Sequence, residues 1–220
     1  MGQPFERRVR SFLGDRHEEF DVALFVRSEM EPAIQALNDV VRGRGSVEQV
    51  QRWREVLHKL AIVSFVFGAA FIYRHGEKRN GYTIRRTLAE KTGLLEIERL
   101  MAWERVVARG EDEAILRRSA LQAATGCRLE ANYLLEGGNW APSSQKLLVD
   151  HPFRMQLEAP GWALELLARC DGKKTGEELF ESLKQQKVVP YDTPFRTLAG
   201  VLTVMVSGGY VEIPAHAPSF

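Results

Sequence analysis

Histidine, cysteine and clustered carboxylates are the side chains able to hold a metal or attack a substrate, and here they are scattered. The histidines are His17, His58, His75, His151 and His216. His17 has two carboxylates beside it, in His17-Glu18-Glu19-Phe20. Adjacent residues on a helix do not face one another, so this run does not assemble a metal site by itself. A dimetal bundle needs Glu-x-x-His pairs on two helices, and the chain does not supply two. His58, on a Trp53–Tyr73 helix, reads as an ordinary core or surface histidine. Cys127 and Cys170 lack a CxxC partner and read as small apolar groups buried on helices. Phosphate loops, GxSxG elbows and Cys/His dyads are absent. The chain therefore reads as non-catalytic, with no cofactor of its own.

A second set of residues suits binding. In Phe153-Arg154-Met155-Gln156-Leu157 the apolar and polar side chains alternate, as in a half-buried strand. Downstream, Arg196, Ala199, Thr203 and Val206 fall on one stripe of a helix from Thr193 to Ser207. Phe153, Met155, Leu198, Leu202 and Met205 also have the character of core residues.

The elements that must position these residues follow from periodicity and stop signals. The last third reads helix, helix, helix, strand. An apolar helix carries Leu164 and Leu167 and stops at Cys170-Asp171-Gly172. A second begins at once, capped by Thr175 with Glu178 three residues on, and a third is capped by Thr193 with Pro194 at its first position. The third runs into Gly208-Gly209 and a short strand. With β segments at Lys146–Val149 and Phe153–Leu157, this predicts a winged helix.

The first 137 residues read as all-helical. The pattern predicts helices near Phe5–Leu13, from about Glu18 to Val41 with a kink at Pro32, and from a capping box at Ser46/Gln49 through to Tyr73. Leu60–Tyr73 is apolar on all sides and is expected as the central helix of a bundle. Further helices are expected at Thr83–Glu90, Leu94–Ala108 and Asp112–Leu135, the last stopping at Gly137-Gly138. The expected fold class is mostly α: a helical bundle over 1–137, which docks a partner, and a winged-helix domain over 138–220, divided at Gly137–Ser144.

Charge bears on the partner. The 220 residues carry a net charge of +1. Residues 138–220 hold 8 Lys/Arg against 9 Asp/Glu, a net of −1. Phosphate binding runs on Lys and Arg, so the net-acidic half is a poor DNA reader, and its third helix offers only Arg196. No nucleic-acid partner is expected. No apolar run reaches the ~20 residues that cross a bilayer, no signal peptide opens the chain, and Gly2 lacks the myristoylation context because Glu6 stands where Ser or Thr is needed. A cytoplasmic location with no membrane partner is the expectation.

Residues 146–213 resemble the PqqD-like peptide-recognition element of ribosomal-peptide natural-product biosynthesis. The resemblance rests on Leu167-Ala168-Arg169-Cys170-Asp171-Gly172-Lys173-Lys174-Thr175, then Gly176-Glu177-Glu178-Leu179, then Gly208-Gly209-Tyr210-Val211. It implies that the leader of a precursor peptide adds as a strand to Phe153, Arg154, Met155, Gln156 and Leu157. Arg196, Ala199 and Thr203 would then line one wall of the groove. A helical domain joined to such an element is also similar to the partner subunits of multinuclear iron-dependent (DUF692-type) oxidative enzymes of peptide maturation, as in 3-thiaglutamate biosynthesis. That implies a heterodimer in which iron belongs to the partner enzyme. A winged-helix transcriptional regulator and a helical scaffold or oligomerisation subunit are the alternatives.

Overall fold

A computed structural model describes residues 4–214; Gly2 and His216 lie outside them. The chain divides into two compact units, Met1–Gly76 with Thr83–Thr87 and Glu77–Tyr82 with Leu88–Phe220. About 43% of the described residues are helix and 30% strand, the strands lying in three three-stranded sheets. The expected mostly α fold, with its helical bundle and winged helix, is therefore corrected.

In the first unit, α1 (Phe5–Ser11) and a 3₁₀ turn (Gly14–Glu19) lead into β1 (Phe20–Met30). The helices α2 (Pro32–Val41) and α3 (Val47–Lys59) precede β2 (Phe65–Arg74), and β3 (Thr83–Thr87) completes a sheet of order β2-β1-β3. β1 runs antiparallel to β2 and parallel to β3. As the central strand it is buried without interruption from Asp21 to Val26. Such a strand lacks the alternation of a half-exposed one, so its apolar residues mimic a helix face.

Three of the expected helices break here for identifiable reasons. The helix expected from Glu18 to Val41 is a strand up to Met30 and a helix after Pro32, which stands at the first helical position and is no kink. Leu60–Tyr73 is a turn followed by β2, because FVFGAAFIY is rich in aromatic and branched residues that suit a pleated surface. Gly68 lies so close to β1 that a methyl group there would meet the Phe25 carbonyl oxygen at 1.9 Å. Thr83–Glu90 contributes β3 in place of a helix, held at its start by Arg10 Nε donating to Thr83 Oγ1 at 2.6 Å.

The second unit contains α4 (Leu94–Arg109), α5 (Asp112–Arg118), β4 (Ala120–Ala123), β5 (Arg128–Glu136), β6 (Asn139–Val149), β7 (Met155–Glu158), α6 (Gly161–Ala168), β8 (Asp171–Thr175), α7 (Gly176–Gln185), α8 (Phe195–Gly208) and β9 (Val211–Glu212). β5, β6 and β7 form an antiparallel meander. β8, β4 and β9 form a second sheet with β4 in the middle. The core lies between the helices and these sheets, from Leu116 and Leu121 through Leu147, Leu166, Leu179 and Leu183 to Leu202 and Met205.

The division expected at Gly137–Ser144 falls inside a hairpin. Gly137 and Gly138 both have positive φ, 56° and 85°, and turn β5 directly into β6. That backbone favours glycine, and it serves a hairpin as readily as a helix stop. The helix expected over Asp112–Leu135 accordingly ends at Arg118 and gives way to β4 and β5. Residues 138–220 are not self-sufficient, because the sheet flanking their helices takes its central strand from Ala120–Ala123. A strand, β8, also stands between the first two C-terminal helices where a simple turn was expected.

Other local expectations hold. The capping boxes Ser46/Gln49 and Thr175/Glu178 are both formed. Gly209 caps α8 in the left-handed conformation, φ 78°. Pro194, not Thr193, caps the start of α8.

Candidate functional site

β7 carries three of the five residues expected to receive a peptide. Its register against β6 sets Val149 opposite Met155, Leu148 opposite Gln156, Leu147 opposite Leu157 and Lys146 opposite Glu158. Opposed residues share a face, so Leu147, Val149, Met155 and Leu157 point one way. Leu147 and Val149 are buried, and half-buried Met155 and Leu157 pack against the same core. Gln156 and Glu158 are exposed on the other face, where Lys146 Nζ stands 4.0 Å from Glu158 Oε1.

Among the described residues β7 pairs only with β6, so the backbone groups of its second edge bond to no strand. The segment ahead of β7 is tied down. Phe153 is 2% exposed and forms an isolated antiparallel bridge with Leu88. Ala89 N–H and the Thr92 hydroxyl both donate to the Pro152 carbonyl. The Cβ position of Gly209, at the cap of α8, lies 3.0 Å from Pro152 Cδ. The entrance to β7 is thus fixed to the end of α8, while Met155–Glu158 stays open. Arg154, between bridge and strand, is exposed and makes no ion pair among the described residues.

The helical wall of the expected groove is not brought to this edge in the expected way. Thr203 Oγ1 donates to Asp112 Oδ2 at 2.7 Å, and Trp103 Nε1 donates to the Thr203 carbonyl at 3.4 Å. Ala199, one turn earlier on the same stripe, is 2% exposed. This stripe packs on α4 and α5, which lie before the expected domain boundary and cover the face that a free groove would need. Arg196 is exposed, twelve residues up the helix from Gly208 and so about 18 Å along its axis. Phe153 and Ala199 are core residues. Trp103 and Asp112 decide the orientation of α8, and their only sequence signal is their place at the apolar face of one helix and the start of the next.

The residues suited to chemistry stay apart. Among the described residues no three His, Cys, Asp or Glu side chains are grouped so as to hold a metal. Cys170 Sγ donates to the Leu166 carbonyl at 3.3 Å, and burial pushes its thiol up to about 12. Cys127 is half-buried beside the Tyr210 carbonyl, 3.7 Å away, and burial raises its thiol too. His75 is buried with Nε2 against the Glu18 carbonyl at 3.0 Å, whereas His58 and His151 are exposed. No helix among the described residues is long and apolar enough to cross a membrane.

No protein-family model matches the chain, and neither the curated proteins nor the solved structures contain a match to it.

Proposed function

We propose that this chain is a non-catalytic, cytoplasmic accessory protein that captures the leader of a ribosomal precursor peptide by strand addition and presents it to a metal-dependent modifying enzyme. The observation that carries the reading is the open edge of β7 above an apolar floor. An extended peptide laid along Met155–Glu158 would pair its backbone with the unpaired edge, and its inward side chains would meet Met155 and Leu157. β5 is a poorer dock, because its nine residues are exposed and offer no such floor. Arg154 supplies an unneutralised positive charge for an acidic residue of the leader. The chain order also suits the PqqD-like resemblance: the meander β5-β6-β7 is followed by α6, α7 and α8.

The first unit is assigned to the enzyme subunit. It exposes Ile34, Leu37 and Val41 at helical spacing on α2, and Trp53, Val56 and Leu60 at helical spacing on α3 and its end. Joining peptide and enzyme on one chain raises the local peptide concentration at the active site without chemistry by this chain. Any iron belongs to the partner enzyme. A DNA-reading role has less behind it, since α8 packs on α4 and α5 and offers only Arg196.

Co-purification from the native operon, with mass spectrometry of what comes along, identifies the peptide. Its affinity is then measured for the wild type and for Arg154→Glu, Gln156→Pro and Leu157→Pro. N–H groups along β7 alternate between β6 and the open edge, so one of the two prolines removes a donor to the peptide and the other a donor to β6. The former should weaken binding about tenfold or more with the fold intact, the loss of one to two kcal/mol for a missing backbone bond. Unchanged affinity in all folded variants refutes strand addition at β7.

A further inference from the structure

β2 presents a ten-residue strand with a second edge that pairs with no strand among the described residues. Its stretch from Phe67 to Ala70 is exposed, as are Ile72, Tyr73 and Arg74. Natural edges are usually blunted by charge, proline or a bulge in the edge strand. From Phe65 to Tyr73 this one has neither charge nor proline, and the irregularity in its pairing lies between Val26 and Ser28 of β1.

We propose that this edge pairs with the same edge of a second copy of the chain, in a two-fold antiparallel ladder centred on Ala69. The six-stranded sheet would run β3-β1-β2 and then β2-β1-β3 of the partner copy. A two-fold axis normal to a sheet sets one residue opposite itself, so the sequence must read sensibly against its own reverse. Centred on Ala69, it does. Ala70 faces Gly68, Phe71 faces Phe67, Ile72 faces Val66 and Tyr73 faces Phe65, which are aromatic and branched pairs around a small centre. Arg74 then faces Ser64.

The two ends of the strand carry opposite charge clusters that this register brings together. At one end Glu19 is shared by Arg16 at 2.5 Å and Arg74 at 2.8 Å, a surplus of positive charge. At the other, Arg85 is shared by Glu29 at 3.0 Å and Glu6 at 3.3 Å, a surplus of negative charge. Ser64, the residue opposite Arg74 in the ladder, donates to Glu29 Oε1 at 2.7 Å. Each copy's Arg74 therefore arrives at the other's Glu29. This favours a second copy over a passing peptide, because both clusters belong to the chain and the symmetry uses each twice.

The test is the mass of the full-length chain by analytical ultracentrifugation at about 100 µM, where only association weaker than a Kd of roughly 1 mM escapes notice. The wild type should be a dimer whose affinity falls with added salt. Ala69→Asp and Ala69→Lys should each be monomeric with wild-type circular dichroism, because like charges would face each other about 5 Å apart at the axis. Mixing the two variants in equal amounts should restore the dimer, which only a register placing 69 opposite 69 can do. A monomeric wild type overturns the proposal, as does a wild-type dimer that survives both substitutions or a mixture of folded variants that stays monomeric.

Discussion

Replacing Thr203 by valine preserves the shape of the side chain and deletes one hydroxyl, and the outcome decides what the Arg196–Thr203 stripe of α8 is for. The hydroxyl donates to the Asp112 carboxylate at 2.7 Å, joining residues 91 apart in the chain. A hydrogen bond to a charged acceptor contributes about 1.5–3 kcal/mol. Asp112 is half-buried and can take water in exchange, so the lower end applies. In a chain of this length each kcal/mol shifts Tm by about 2–4 °C, so Thr203→Val should lower it by about 3–6 °C. Thermal and urea unfolding followed by circular dichroism would measure this. A double-mutant cycle with Asp112→Ala should return a coupling of about 1 kcal/mol. Affinity for the co-purified peptide should not change. If Thr203→Val leaves stability untouched and weakens peptide binding, the stripe lines a groove and does not serve to hold α8 on α5.

Two further outcomes follow from local geometry. Gly176→Ala would put a methyl group 2.3 Å from the Leu116 carbonyl oxygen, a backbone atom that cannot swing aside, so urea unfolding should show a loss of about 3 kcal/mol. Glu77 accepts from Arg109 Nε at 2.9 Å and Arg79 Nε at 2.7 Å, and these guanidiniums hold its carboxyl down at about 2. Its folded value lies below the unfolded one, so its stabilisation is present above the ordinary carboxylate range and fades as pH falls toward about 2. Glu77→Gln should flatten that acid limb in a pH series of Tm values, and added salt should shrink the difference because the group is exposed.

The C-terminal helices were legible because their signals are local. The Thr175/Glu178 capping box, Pro194 and the glycine pair at 208 and 209 mark boundaries through backbone chemistry that no distant contact overrides. The half-buried character of Met155 and Leu157 was legible for the same reason, since alternation is a property of the strand itself. The first 137 residues concealed their strands for a physical reason. Val22–Val26 is buried on both faces of its strand, and a strand covered on both faces has no polar alternation to declare it. Phe65–Tyr73 has apolar residues on both faces of an edge, so its period points to neither a strand nor a helix face. Gly137 and Gly138 marked a reversal correctly, but positive φ ends a helix and turns a hairpin alike. The role of Thr203 was hidden because its partner, Asp112, is brought close only by tertiary packing.

Hydrogen exchange of the full chain, with and without the co-purified precursor peptide, tests strand addition most directly. Within β7 the peptide should protect alternate amides between Met155 and Glu158, those that face away from β6, while the amides already bonded to β6 change little. A peptide that binds and leaves this segment unprotected, placing its protection elsewhere, would contradict the account.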